Sequence, residues 1–599
     1  MTQNMLKTGS PWTTLEYYEI IYRSSRCLNS RNASSQGVDG TRREDAHAEL
    51  PEFALFIMPE LIFFLFVRID ERRTNLIDEI RTSIPEEPME YSRFKMPSPA
   101  GLALSAAIAL VGLVGALAAL SPKEQPFKPT WNSLRNVHTP QWLRDGKFGI
   151  YTHWGVYAVP AQGPNATWFA NKVYWDPTSA ERKYWEQTWG PLQKFGYKDF
   201  IPMFTGEKFD ADAWADLFQK AGARFAGPVA EHHDGFSMWD TKYSEWNAAK
   251  MGPKRDIVGE LARAIKKRGM KFVTAFHHAE QWVYFPTSDA SLDCGDPRFS
   301  GLYGPIHQRG ERPTKAFLDI WAGKVVEVID KYDPDLIWFD NGLELIPDWT
   351  KMGVLAYFYN KAVERNKEVV VTYKRHDLVP GAGLLDLERG QEADLTYYDW
   401  ITDTTVDNGR GWGYVKGLGF KTVDNLIDNL VDRVSKNGYL LLNVGPKPDG
   451  TIPDEARELL LGMGVWLKTN GEAIYGTTPW VVAGEGPTRL EPGTAGFNER
   501  NDLSYTSQDI RFTVKDNTLY AIVLDWPGEK LLIKSLAPRW QSWTGWNGLY
   551  SAEIVSVTML GDGQELKWEN TPAGLLIETP KKRPGDYAYV FRIVRKNPF

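Results

Sequence analysis

From Trp131 to about Tyr475 two spacings alternate along the chain. Short, near-continuous apolar runs read as strands covered on both faces, and the segments between them repeat apolar residues every three or four positions, as helices do. The runs are Lys147–Trp154 (KFGIYTHW), Arg224–His233 (RFAGPVAEHH), Lys271–His278 (KFVTAFHH), Asp335–Gly342 (DLIWFDNG), Glu368–Lys374 (EVVVTYK), Leu384–Glu388 (LLDLE), Leu395–Trp400 and Tyr439–Val444 (YLLLNV). Between them, Asp210–Ala221 sets Trp214, Leu217 and Phe218 on one helical face. Ile257–Lys267, Phe317–Lys331 and segments near 422–436 and 454–470 have the same period. Strands alternating with helices argue for a parallel sheet, and about eight units over roughly 340 residues fit an enlarged (β/α)8-like TIM barrel, placed at 131–478.

After Pro479-Trp480 the pattern changes. Asp509–Val514, Thr518–Leu524, Lys530–Ile533 and Tyr587–Val594 are short β-rich segments set apart by Gly, Pro and Asn turns. They predict a C-terminal antiparallel β-sandwich at 480–599. Residues 1–95 follow neither period: a polar stretch, Asn29–Glu49, precedes an apolar run, Phe53–Val67, broken by Pro59-Glu60. That segment is left without a fold, as disordered or as the product of a gene start placed too early. Arg93-Phe94-Lys95-Met96 then leads into the uncharged stretch Ala100–Leu120, which carries the small-x-small pattern Ala116-Leu117-Ala118. Residues 96–120 read as a signal peptide cleaved near Ala118, with an uncleaved membrane anchor as the alternative. The expected location is secreted or periplasmic, with membrane attachment only if the anchor is kept.

Composition narrows the chemistry. A chain of 599 residues exceeds one domain, and a net charge of −7 without a basic block argues against nucleic acid and for a neutral or polar substrate. The 24 Trp supply rings on which the C–H faces of sugars pack. The two cysteines, Cys27 and Cys294, fall in different units, so neither a disulfide framework nor a Cys-rich zinc site is supported.

The candidate chemistry lies at the ends of the strands, the rim where such barrels carry their sites. Asp340 stands where the fourth run stops and Asn341-Gly342 turns, as a cap or as a catalyst. His153, His232, His233, His277, His278 and His376 all fall at or just past predicted strand C-termini. A metal site is the rival reading, but the first strand carries Thr152-His153-Trp154 rather than a His-x-His pair, so no metal is assigned. Neutral imidazoles that hydrogen-bond hydroxyls suit a polyol. Two rim carboxylates would supply glycoside hydrolysis. Partners available to Asp340 are Glu231, Asp234, Glu280, Glu388, Asp399 and Asp403, and periodicity leaves the choice between Glu388 and Asp399 open.

Six motifs then occur in order: His153-Trp154-Gly155, Glu231-His232-His233-Asp234-Gly235-Phe236, Trp338-Phe339-Asp340-Asn341-Gly342, Trp412-Gly413-Tyr414, Leu441-Leu442-Asn443-Val444-Gly445-Pro446 and Asn470-Gly471-Glu472-Ala473-Ile474-Tyr475. Together they closely resemble the α-L-fucosidases of glycoside hydrolase family 29. The resemblance covers about Trp131 to Trp480 and extends plausibly through the sandwich.

The resemblance implies a retaining exo-glycosidase that removes terminal α-L-fucose from a fucosylated oligosaccharide or glycoconjugate without a cofactor. It makes Asp340 the nucleophile and Glu388, just before the Trp400 and Trp412 landmarks, the acid/base. His153, His232 and His233 resemble residues that bind fucose hydroxyls, and Trp168 and Trp338 those that pack on its apolar face and methyl. Trp154, His277 and Trp412 join the substrate-binding set. Lys374 or Arg375 is placed to contact ring hydroxyls or to steady Asp340. Two departures stand out: Thr167 replaces a Glu found in many members, and Tyr398-Asp399-Trp400-Ile401-Thr402 replaces a Lys-Trp-Glu-x-Cys stretch. The alternatives are a retaining barrel glycosidase acting on another sugar, such as a galactoside, and a non-catalytic fucose-binding protein.

Overall fold

The apolar runs become strands of one closed sheet because a run without polar alternation must be covered on both faces. The computed structural model describes residues 127–374, 376–409, 411–490, 497–500, 503–537 and 553–598. The segments 1–95 and 96–120 therefore lie outside the described residues, as does Arg375. Among the described residues no helix is long and apolar enough to cross a membrane.

Eight strands close the barrel in chain order: β1 (Phe148–Thr152), β2 (Phe225–Glu231), β3 (Lys271–Phe276), β4 (Leu336–Phe339), β5 (Val370–Tyr373), β6 (Leu384–Asp386), β7 (Trp400–Thr405) and β8 (Gly438–Val444). All pairs are parallel, and β1 closes the ring by pairing with both β2 and β8. Side chains alternate inward and outward. Tyr151, Phe225, Val229, Val273, Leu336, Trp338, Val370, Leu384, Ile401, Tyr439 and Leu441 fill the interior. Their neighbours meet an outer helical layer that includes α1 (Ala166–Trp175), α2 (Ala211–Lys220), α3 (Ile257–Lys267), α4 (Lys315–Tyr332), α5 (Asp348–Glu364), α6 (Val423–Ser435) and α7 (Asp454–Asn470).

Local rules explain these helices. In α3, Ile257, Val258, Leu261, Ala262 and Ile265 bury one stripe. Asp256 caps its first turn by accepting from the Gly259 amide, and Lys266 and Lys267 sit at its negative end. Burying each Ile, Val or Leu of this stripe contributes about 1.5–3 kcal/mol before the entropy cost.

The seventh strand departs from the expectation. It spans Trp400–Thr405 rather than Leu395–Trp400, and Tyr397 is almost fully exposed. Its residues Thr402, Asp403, Thr404 and Thr405 are polar yet buried, because side-chain hydrogen bonds satisfy them. A search for apolar periodicity slides past such a strand.

Beyond the barrel lie a five-stranded antiparallel sheet, of order β13 (Ile554–Met559), β16 (Tyr589–Arg595), β11 (Thr518–Val523), β10 (Ile510–Lys515), β9 (Thr478–Glu485), and a three-stranded one, β12 (Lys530–Ile533), β15 (Gly574–Glu578), β14 (Trp568–Thr571). Trp480, Phe512, Leu519, Ile533, Ile577 and Phe591 belong to their common core. The buried pair Arg511–Asp432, at 2.7 Å, ties β10 to α6 of the barrel.

Candidate active site

β4 ends because Asn341-Gly342 turns the chain. Gly342 has φ 97°, and a Cβ there would come within 2.8 Å of the Glu280 amide nitrogen, so only glycine fits. The Asp340 amide still donates to Phe276 of β3, at 3.1 Å, which fixes the carboxylate at the rim. The His277 ring donates from Nδ1 to Asp340 Oδ2 at 2.7 Å. Lys374, just past β5, brings Nζ to 3.1 Å from Oδ1. His233 Nε2 lies 3.7 Å from Oδ2. Burial opposes ionisation of Asp340, but His277 and Lys374 outweigh it and hold the carboxyl well below its ordinary range.

Asp386 and Glu388, two positions apart, both reach the same ammonium. Glu388 Oε2 is 3.1 Å from Lys374 Nζ and accepts from Asn341 Nδ2 at 3.2 Å. Its Oε1 accepts from the Trp412 indole at 3.2 Å. Burial pushes the Glu388 carboxyl up to about 7, with Lys374 opposing and Asp340 and Asp403 adding to the rise. Burial also raises Asp386 and Asp403; Asp403 accepts from the Tyr151 hydroxyl at 2.6 Å. Lys374 keeps its proton: burial works against the charge, but Asp386, Glu388 and Asp340 outweigh it. Because Asp340 Oδ1 and Glu388 Oε2 each lie 3.1 Å from the same Lys374 nitrogen, the two carboxyls face each other across one ammonium.

Two further imidazoles, His153 and His232, complete the wall with His277. The tautomers follow from the hydrogen-bond partners. His153 Nδ1 donates to Asn443 Oδ1 at 2.9 Å, which leaves Nε2 an acceptor. His232 Nδ1 accepts from the His233 amide at 2.9 Å, so its Nε2 carries the proton. His277 spends its proton on Asp340, so its Nε2 accepts. Among the described residues none of these three Nε2 atoms has a partner. Burial lowers the pKa of all three rings, so they are neutral near pH 7. Two acceptors and one donor within reach of one another form a surface for hydroxyls. The same three residues have metal-ligand spacing, with ligand atoms within 4.8 Å, but the protonated Nε2 of His232 does not suit a cation. Trp168 on α1 packs against His233 and Tyr284, with ring centroids 5.0 and 5.5 Å away, and is half-buried at the opening.

The expected site residues thus divide. Asp340, Glu388, His153, His232, His233, His277, Lys374, Trp168 and Trp412 come together; Trp412 stacks on His153 at 5.1 Å. Trp338 is enclosed beneath them, 5.7 Å from Lys374 Nζ and 5.9 Å from Tyr151, and floors the site rather than forming its wall. Trp154 does not belong. It points outward from the rim, donates to the Lys447 carbonyl at 2.8 Å and packs on Phe204, Phe209 and Trp214, since the residue after His153 faces the other side of its strand.

Asp399 is removed as an acid/base. It precedes β7, at the opposite end of the barrel, and is held by Arg144 at 2.8 Å and the Tyr439 hydroxyl at 2.5 Å. Glu231 is a fully buried partner of Lys324, at 2.6 Å. Asp234 accepts from Tyr197, at 2.6 Å. His278 turns away onto Trp321 of α4, and His376 is exposed. Thr167 is buried and donates to Asn165, at 2.6 Å, so it offers the pocket no replacement for a carboxylate. Glu280, 3.3 Å from His233 Nε2, is the additional rim carboxylate.

Asn341, Asn443 and Asp386 also belong to the site, although in the sequence they read only as turn, motif and strand residues. For Asp386 the signal was present, because the alternation in LLDLE puts it on the face of Glu388.

Known proteins resemble the chain along most of its length. The α-L-fucosidase family model matches residues 116–472, and the α-L-fucosidase C-terminal domain model matches 501–594. The tissue α-L-fucosidase of Rattus norvegicus is 32% identical over 486 residues, covering 79% of this chain and 93% of that protein. The plasma α-L-fucosidase of Homo sapiens is 33% identical over 472 residues, covering 76% and 89%. The crystal structure of the Thermotoga maritima α-fucosidase in complex with fucose is 34% identical, covers 78% of this chain and 100% of its own, and superposes with a TM-score of 0.61.

Proposed function

The chain belongs to the α-L-fucosidase family and is a fucose-releasing glycosidase; from that premise we propose that it works by double displacement, with Asp340 as nucleophile and Glu388 as general acid, then base. An Asp340 oxygen attacks the anomeric carbon as the bond to the leaving oxygen breaks. Glu388 gives its proton to that oxygen. Water then loses a proton to Glu388 while its oxygen displaces Asp340, freeing fucose with net retention.

One observation carries the assignment: the surroundings push the two carboxyls in opposite directions. Asp340 is held ionised, as a nucleophile must be, and Glu388 titrates at about 7, where an acid that becomes a base works best. Lys374 steadies both. The Nε2 atoms of His153 and His277 accept from sugar hydroxyls, and that of His232 donates. Trp168 covers the apolar face of the sugar, and Trp412 holds Glu388.

Trapping with a 2-fluoro-fucosyl reagent tests this reading. Mass spectrometry is expected to find one 2-fluoro-fucosyl unit on the peptide containing Asp340; a label elsewhere would remove Asp340 from the role. Turnover of an aryl α-fucoside far above the aryl galactoside is expected, and fucose binding without turnover of either would point to a lectin.

The terminal fucose of an oligosaccharide or glycoconjugate is the substrate we infer. We also assign a secreted enzyme, released by cleavage near Ala118. The charged-then-apolar order of residues 93–120 supports this, as does the plasma α-L-fucosidase among the relatives. N-terminal sequencing of the exported protein checks it.

A further inference from the structure

The loop that carries Glu388 is a tight one. β6 is only three residues long, and Arg389 lies in the left-handed region, with φ 45°. From the barrel side β7 holds this loop: the Leu387 amide donates to Ile401 at 2.9 Å, and Thr402 Oγ1 donates to the Leu387 and Gly390 carbonyls, each at 2.9 Å. Its other side is held from more than a hundred residues away.

Residues 497–499, between β9 and β10 of the C-terminal sheet, run along it. The Phe497 amide donates to the Glu388 carbonyl at 2.7 Å, and the Glu499 amide to the Arg389 carbonyl at 2.9 Å. Asn498 behaves as a strand would. Its Oδ1 accepts from the Gln391 amide at 2.9 Å, and its Nδ2 donates to the Gln391 carbonyl at 3.0 Å.

Glu499 itself is buried, with its side chain 3% exposed. Oε1 accepts from Thr404 at 2.6 Å and Lys421 at 2.8 Å, and lies 3.8 Å from Arg433. Oε2 accepts from Arg389 at 3.2 Å. Arg389 in turn lies 5.8 Å from the ring of Trp412, whose indole donates to Glu388. The strap therefore reaches Glu388 by two routes: through its own backbone carbonyl and through Arg389 and Trp412.

We propose that Glu499 and Asn498 are positioning residues for the acid/base, so that the C-terminal region completes the catalytic site without touching the substrate. This rests on the assignment of Glu388 above. A carboxylate among three buried cations is placed to hold a strained turn, because each cation would otherwise lie buried and unpaired. A loop shifted by an ångström loses proton transfer to the leaving group while the nucleophile, on the far side of Lys374, stays in place.

The test uses the full chain. kcat/KM is measured for Glu499→Gln, Asn498→Ala and Glu388→Gln on an α-fucoside of a sugar alcohol and on a dinitrophenyl α-fucoside, whose leaving group needs no proton. For Glu499→Gln the expected loss is about 100-fold on the first substrate and less than about 10-fold on the second, following the pattern of Glu388→Gln; Asn498→Ala loses about 10-fold and 2-fold. Equal losses on both substrates, or no loss, would overturn the proposal. If Glu388→Gln itself shows no leaving-group dependence, the acid/base assignment fails and the strap falls with it, and that variant alone reports the difference. Should Glu499→Gln not fold, Asn498→Ala decides by the same ratio.

Discussion

Two buried charge clusters lie back to back across residues 388 and 389, and their imbalances are opposite. In the first, Lys374 is shared by Asp340, Asp386 and Glu388, with Asp403 nearby. In the second, Glu499 is shared by Arg389, Lys421 and Arg433. In the first cluster burial, with a single cation too little to offset it, raises the carboxyls of Asp386, Asp403 and Glu388, the last up to about 7. Too much positive charge in the second overcomes burial and holds the Glu499 carboxyl down to about 2. The first cluster is therefore able to move a proton near neutrality, and the second is locked. The same residue types give chemistry or rigidity according to which sign is in excess.

Four changes would break or sharpen that contrast. Asp340→Gly removes the nucleophile and is expected to lower kcat/KM by about 10⁴-fold or more; azide should restore part of it and yield a fucosyl azide of inverted configuration, read by NMR. Glu388→Ala is expected to slow poor leaving groups by about 10²–10⁴-fold and activated aryl fucosides far less. Lys374→Met leaves three buried carboxyls without their cation. The expected sign is a rise in the Asp340 pKa, so the acidic limb of the rate profile moves to higher pH and kcat/KM falls by about 10²-fold. Asp399→Asn, at the other end of the barrel, is expected to leave kcat within about twofold and to cost about 1 kcal/mol of stability by urea unfolding, since its partner Arg144 is 47% exposed. A large activity loss there would mean that position in the barrel does not separate structural carboxylates from chemical ones.

Much of this was legible before the structure. Apolar runs with helices between them are enough for the barrel, because each strand must be covered on both sides. The run ending in Asp340-Asn341-Gly342 marked the rim, and LLDLE marked the position of Glu388. Two things were hidden for physical reasons. β7 is built from Thr402, Asp403, Thr404 and Thr405, whose burial depends on hydrogen bonds supplied by distant loops, so reading apolar residues placed the strand too early and brought Asp399 to the wrong end. Trp154 looked like a pocket residue because it follows His153, but strand alternation sends neighbours apart. The Glu499 cluster left no local pattern at all: its members lie at 389, 421, 433 and 499, and only the folded chain brings them together.

The pH dependence of kcat/KM on an unactivated α-fucoside tests the central claim, that the surroundings split the two carboxyls. Glu388 must be protonated to act first, so activity should fall as pH rises through about 7; Asp340 must be ionised, so the acidic loss should come well below its ordinary range. In Glu388→Gln the alkaline limb near 7 should vanish while the acidic limb stays. An alkaline limb that persists unchanged in that variant, or an acidic limb in the wild type above pH 5, would contradict the account.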